Sequence, residues 1–331
     1  MFNNFINKKD ILALLKGSPK LFFNIVKKII RKDQKRVKDA WTHTEYPANN
    51  WWDIPEIRYR WNRLISGDEN VDYYEYISKK YFANRGKLYG LSLGCGTGHR
   101  ELKWIEHGEF KSIEAIDLSI SRIDKAKKEA KEKANGNIIN YRVGDIYKIE
   151  LAKSFYDIVF VENSLHHFSP LKKILERINF TLKPDGYLIV NEFVGPTRFQ
   201  WTARQIEVIN GLFSIFPGKY KKLLGNSYEK KSNISRPSKL RMILDDPSEA
   251  VESSNILPYL NEMFEILELR EYGGTILHLL FSQIAHNFIS NEPRVKRWLK
   301  TCFEIEDLLI EEKELNSDFI IAVCRKKNID K

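Results

Sequence analysis

The chain has 331 residues, with 54 Lys+Arg against 44 Asp+Glu and a formal net charge of +10. A composition of 43% hydrophobic, 30% charged and 12% aromatic residues excludes a disordered or low-complexity chain. The length suffices for one large α/β domain with additions, or for two modest domains. Cys95, Cys302 and Cys324 lie far apart, which excludes a disulfide framework and a cysteine-only zinc site and points to a reducing compartment. No apolar run approaches the roughly 18 residues of a membrane span, and residues 1–10 lack the apolar core of a secretory leader. A cytoplasmic protein is the expectation.

Charge is concentrated at the start. Residues 1–40 carry 11 Lys/Arg and 3 Asp/Glu, which is eight of the ten net positive charges. Ser18-Pro19 has the form of a helix N-cap followed by proline. Phe22, Ile25, Val26, Ile29 and Ile30 then recur at helical spacing among Lys20, Lys27, Lys28, Arg31 and Lys32. This pattern has two readings. Residues 18–32 form a basic helix on the inner, anionic membrane surface, or a helix docked by its apolar face on the main domain.

From residue 88 onward strands and helices alternate. Strands are expected at 88–94, 112–117, 137–143, 155–161 and 187–194, with helices from 100, over 119–134 and from 169 to about 182. A long helical stretch at 197–224, an irregular polar segment to about 255, a strand at 264–272, a helical pair and a last strand at 318–325 complete the chain. The repeating strand–helix order calls for a doubly wound, mainly parallel sheet of seven strands. A helical extension precedes this sheet, and helical insertions interrupt it near the C-terminus. The corresponding division is 1–72, 73–195 and 196–331.

Ligands of such sheets sit at the carboxyl ends of the strands, and three features fall there. Gly94-Cys95-Gly96-Thr97-Gly98 follows the first strand, where alternate glycines let the turn approach a ligand closely and the next helix offers free amides to an anion. Asp117 ends the second strand, where an acid can accept both hydroxyls of a ribose. Asp145 and Ile146 follow the third, suited to an adenine amino group and to the face of its ring.

A GxGxG loop with Asp117 and Asp145 so spaced resembles the class I S-adenosylmethionine-dependent methyltransferases over residues 73–194. The resemblance implies that Gly94, Cys95, Gly96 and Gly98 face the methionyl part of S-adenosylmethionine. It further implies that Asp117 and Leu118 hold the ribose, that Asp145 and Ile146 hold the adenine, and that Glu162 and Asn163 line the methyl-donor end. The product would be S-adenosylhomocysteine. Trp51-Trp52-Asp53-Ile54-Pro55, with Arg60 and Asn62 downstream, residues 191–201 and residues 273–278 resemble a narrower bacterial subgroup that modifies surface glycans and related metabolites.

Methyl transfer asks mainly for in-line alignment and a partly dry pocket, with a base for a hydroxyl acceptor. His166, His167 and Glu192 are the candidate bases. Arg198 is a candidate partner for an acidic acceptor group, and Trp52 and Trp201 are candidate stacking surfaces. His278, on an apolar helix after the sixth strand, reads as a core histidine or as part of a lid. Along the chain no His/Cys/Asp cluster has ligand spacing, so no metal is expected. The segment after the fourth strand lacks the proline of base-flipping enzymes, and there is no basic excess beyond residue 40, which argues against nucleic acid. The expected acceptor is a small molecule or a glycolipid, with a sugar or lipid-linked glycan hydroxyl as the first reading. A quinone, lipid or secondary metabolite is the second. A non-catalytic cofactor-binding module anchored by the basic helix is the reading from another class.

Overall fold

Strands β1 (Leu88–Leu93), β2 (Phe110–Asp117), β3 (Ile139–Val143), β4 (Tyr156–Glu162) and β5 (Leu182–Phe193) are joined by parallel crossovers, as their alternation with helical segments requires. The computed structural model describes residues 50–327. The expected basic helix at 18–32 therefore lies outside the described residues.

Helices α1 (Pro55–Ser66) and α2 (Tyr73–Ile77) precede the sheet. α3 (His99–His107) follows β1, α4 (Ile120–Lys131) follows β2 and α5 (Leu171–Thr181) follows β4. After β5 come α6 (Ala203–Ile215), a hairpin of β6 (Lys222–Leu223) and β7 (Asn226–Lys230), α7 (Lys239–Asp245) and α8 (Ile256–Met263). β8 (Phe264–Gly273), α9 (Leu277–Phe281), α10 (Pro293–Glu311) and β9 (Phe319–Lys326) close the sequence.

The large sheet has the order β3-β2-β1-β4-β5-β9-β8, with β9 antiparallel to both of its neighbours. This is the class I methyltransferase arrangement within the Rossmann-like α/β class. Strand order reverses between β1 and β4, which opens a crevice beyond their carboxyl ends. Period-two alternation divides the core between the two faces. Ile158, Phe160, Ile189, Phe193, Phe319 and Ile321 face one side with Trp104 of α3, and Val159, Val161, Leu188, Val190, Ile320 and Ala322 face the other with Ile174 and Ile178 of α5.

The helix expected over 197–224 is interrupted. Arg198 and Phe199 take left-handed backbone angles (φ 57° and 50°), and the helix begins only at Ala203, where Thr202 and Gln205 form a reciprocal capping box. Phe216, which precedes Pro217, ends it in an extended conformation. β6 falls within the stretch expected to be helical, and the segment expected to be irregular contains β7 and α7. Among the described residues no helix is long and apolar enough to cross a membrane.

Arg60 ties the N-terminal helices to the C-terminal part. Only 2% exposed, it pairs with fully buried Glu306 at 3.1 Å and with Asp307. Glu306 in turn accepts from the backbone amides of Ile276 (2.8 Å) and Leu277 (3.1 Å) at the start of α9. Replacing Arg60 by Ala leaves a buried carboxylate without its cation, with an expected loss of about 3–5 kcal/mol in urea unfolding. A loss under about 1 kcal/mol would mean that water takes over the role of the guanidinium.

Candidate functional site

The carboxyl ends of β1 and β4 are locked together by Ser164, whose hydroxyl donates to the Leu93 carbonyl at 2.8 Å. Gly94, at φ +75°, lies directly beneath it, and a Cβ there would come within 2.6 Å of the Ser164 Cβ. At Gly98, φ +82°, a Cβ would meet the Tyr141 hydroxyl at 2.5 Å. Both positions combine a left-handed backbone with missing space, so glycine is the residue that fits.

Asp117 is buried at the end of β2. Its carboxylate accepts from Gly96 N at 2.9 Å and from Ser119 N at 2.8 Å, holding the glycine loop against the start of α4. Burial raises its pKa despite these amides. Leu118 N–H also reaches it, and the four lone pairs of the carboxylate still leave acceptor capacity for a ligand. Asp145 turns its own loop by accepting from Tyr147 N at 3.0 Å.

A cavity of about 420 Å³ opens here, lined by Gly94, Asp117, Leu118, Asp145, Ile146 and His167 among others. Arg198, Pro247, Ser248 and Val251 wall it from the segment between β5 and α8. Six residues expected to touch cofactor or acceptor thus share one space with His167. Ser119, Tyr147, Phe168 and Ser248 also line it, and nothing in their spacing along the chain announces this.

Other expected residues sit elsewhere. Cys95, Gly96 and Gly98 shape the loop without lining the cavity. Glu162 faces the α3 side, where it accepts from Tyr73 Oη at 2.7 Å and from Trp104 Nε1 at 2.8 Å. Burial lifts its pKa against the pull of Arg100. Asn163, at φ +48°, bonds through its backbone to the Asn191 carbonyl at 2.7 Å. Trp52 is 43% exposed, whereas its neighbour Trp51 is buried against Trp61 and Phe319. Trp201 is buried, stacked on Phe199 and held by Asp318. His278 lies among Trp51, Phe193, Phe199, Trp201 and Phe319, and burial lowers its pKa to about 4. It is a core histidine.

Glu192 is completely buried and fully engaged. It accepts from Ser164 N (2.9 Å), Leu165 N (2.6 Å), Phe193 N (2.7 Å) and His166 Nδ1. Placed as a candidate base by sequence, it is closed off from the cavity and holds the β4–α5 loop. Burial draws His166 down, but Glu192 and then Glu249 outweigh it and raise its pKa. His167 is held well below its ordinary value by burial, then by His166, Arg122 and Arg198. Glu249 arrives from a distant segment, with Oε1 at 3.5 Å from His166 Nε2 and Oε2 at 4.0 Å from His167 Nε2. Burial raises its carboxyl pKa, against the attraction of His166.

Two measurements test these placements. Glu192→Gln turns an acceptor into a donor facing backbone amides or His166, with an expected stability loss of about 1–3 kcal/mol for each N–H left without a partner. Unchanged unfolding would show that the carboxylate is not the anchor. Burial raises the Asp318 pKa from 3.8 to about 7, so the folded state favours its protonated form. That contribution is present at low pH and is lost as pH rises through about 7. Asp318→Asn, which keeps an acceptor for Trp201, should flatten the fall in melting temperature between pH 4 and 8. Parallel curves for the two proteins would refute this.

Residues 91–190 match the model of a family described as a methyltransferase domain. Demethylmenaquinone methyltransferase from Leptospira interrogans is 30% identical over 118 residues, 35% of this chain and 47% of that protein. Malonyl-[acyl-carrier protein] O-methyltransferase 2 from Ilyobacter polytropus is 28% identical over 110 residues, 33% of this chain and 41% of that protein. The chain spans less than half the length of these curated relatives. A crystal structure of geranyl diphosphate C-methyltransferase from Streptomyces coelicolor A3(2) aligns with a TM-score of 0.50 at 11% identity, covering 90% of this chain and 99% of that one. At that identity the likeness concerns the fold alone. Residues 91–190 are thus similar in sequence to methyltransferase domains and belong to a sheet of the class I S-adenosylmethionine-dependent methyltransferase type.

Proposed function

We propose that this chain transfers the methyl group of S-adenosylmethionine to an oxygen of a small-molecule acceptor. The observation that carries the proposal is one cavity of about 420 Å³ shared by Gly94, Asp117 and Asp145, the ends of three successive strands, with His167 and Arg198. That size suits a small molecule. In this reading Asp117 and Leu118 take the ribose, Asp145 and Ile146 the adenine, and the loop from Gly94 to Gly98 the methionyl end. The sulfonium supplies an activated methyl group, and the chain supplies alignment and exclusion of water. His167, neutral at physiological pH because of its depressed pKa, is in the form that accepts a hydroxyl proton. His166 stands behind it, oriented by Glu192. Arg198 belongs to the acceptor side, and Trp201, buried behind it, supports that wall. We assign the core function to residues 73–195, with 1–72 as an N-terminal extension and 196–331 as the segment that carries the lid and the last strands.

The finer acceptor class has two supports. The motif resemblance favours a sugar or lipid-linked glycan hydroxyl, and residues 18–32 would then bring the enzyme to a membrane surface. Similarity to a demethylmenaquinone methyltransferase favours the second reading, a quinone. Transfer of labelled methyl groups to sugars, glycolipids, quinols and acyl carriers distinguishes them.

Calorimetry with S-adenosylhomocysteine tests the core of the proposal. Asp117→Ala is expected to weaken binding at least ~10-fold, about 1.4 kcal/mol. His167→Ala should retain binding and lose most turnover. Equal affinity of Asp117→Ala and the native chain would sink the cofactor assignment.

A further inference from the structure

We infer that His166, His167 and Glu249 form a binding site for one divalent transition-metal ion. Their ligand atoms all lie within 4.8 Å of one another. The Glu249 oxygens stand 3.5 and 4.0 Å from the two Nε2 atoms, beyond the 2.7–2.9 Å of a charge-assisted hydrogen bond. Ligands bound at about 2.0–2.2 Å around one ion are separated by roughly 3–4 Å.

The proton positions strengthen the case. Glu192 can only accept, so His166 carries its hydrogen on Nδ1 and turns the Nε2 lone pair toward Glu249. Ser248 donates its hydroxyl proton to Asp246 at 2.6 Å and therefore accepts from His167 Nδ1 at 3.2 Å. His167 Nε2 lies 4.0 Å from the second Glu249 oxygen. Two imidazole nitrogens and a carboxylate thus converge on one space. Outer partners that hold the far nitrogen of each imidazole are the usual support of metal-binding histidines. Backbone bonds fix the approach of the two segments: Val251 N donates to the His166 carbonyl at 3.1 Å, and Arg198 N to the Ala250 carbonyl at 2.7 Å.

Two imidazoles and one carboxylate suit Zn²⁺, Co²⁺, Fe²⁺ or Mn²⁺, whereas Mg²⁺ and Ca²⁺ prefer oxygen throughout. The Glu249 side chain is 29% exposed, which leaves an entry path and open coordination positions. Binding of the ion is independent of the methyl-transfer reading. Only its use rests on that reading: with the ion bound, His167 is a ligand and not the base, and the ion would polarise an acceptor hydroxyl at that wall of the cavity.

The probe is Co²⁺, titrated into the full chain after removal of metals with a chelator and followed by its visible ligand-field bands. Zn²⁺ competition and elemental analysis give the stoichiometry. One Co²⁺ per chain is expected. Glu249→Gln and the double variant His166→Gln/His167→Gln should weaken binding more than ~100-fold, and Ser248→Ala, which leaves all three ligands in place, roughly 10–100-fold. His286→Gln, remote from the site, should change nothing. S-adenosylhomocysteine affinity and melting temperature, measured on the same variants, report their folding. Unchanged Co²⁺ affinity in Glu249→Gln or in Ser248→Ala, or no binding to the native chain, overturns the site. Loss of cofactor binding with Co²⁺ binding intact would instead sink the methyl-transfer reading and leave the metal site standing.

Discussion

The site depends on one buried carboxylate. Glu192, at the end of β5, is removed from water and would be costly there without full compensation. It obtains that compensation from three backbone amides and one imidazole. Satisfying it forces the turn after β4 into a single shape, with Ser164 against β1 and His166 and His167 side by side. The Ser164 side chain then occupies the space above Gly94, which excludes any larger residue there. The glycine loop, the β4 turn and the histidine pair are therefore a single constraint read at three places in the chain.

A second pattern surrounds this anchor. Asp117, Glu162 and Glu192 lie at the carboxyl ends of β2, β4 and β5, yet each is held by different partners and turned to a different task. Asp117 closes the glycine loop and borders the cavity, Glu162 joins Tyr73 and Trp104 on the α3 face, and Glu192 organises the histidines. Alternation along the strands sets Glu192 apart, because Glu162 pairs with Asn191 and consecutive side chains point to opposite faces. Asp117 and Glu162 share a face and differ in the donors that reach them. Polar groups at the rim are thereby separated into ligand-facing and scaffold-holding sets without any change in residue type.

The segment from β5 to α8 converts an open crevice into a walled cavity. Its unusual backbone at Arg198 and Phe199 turns the chain back over the strand ends and brings Glu249 and Ser248 to the histidines. A continuous helix over this region would have carried Arg198 away. The break coincides with a capping box at Thr202, which the sequence carries as Thr-x-x-Gln.

How legible was this molecule without coordinates? Strand and helix order, the doubly wound sheet and the residues at the ends of β1, β2 and β3 follow from periodicity, glycine placement and the acids after each strand, all of which are local signals. Gly94, Asp117 and Asp145 were readable because short strands deliver their next residues to the same rim. What local pattern could not supply was direction and partnership. Whether Trp51 or Trp52 enters the core, whether Glu192 meets the cavity or the backbone, and that Glu249 stands opposite His166 from 83 positions away were decided only when distant segments packed together. Adjacent residues compete for one buried face, and a carboxylate takes its role from the donors that reach it. Both outcomes are properties of the assembled core, not of neighbours along the chain.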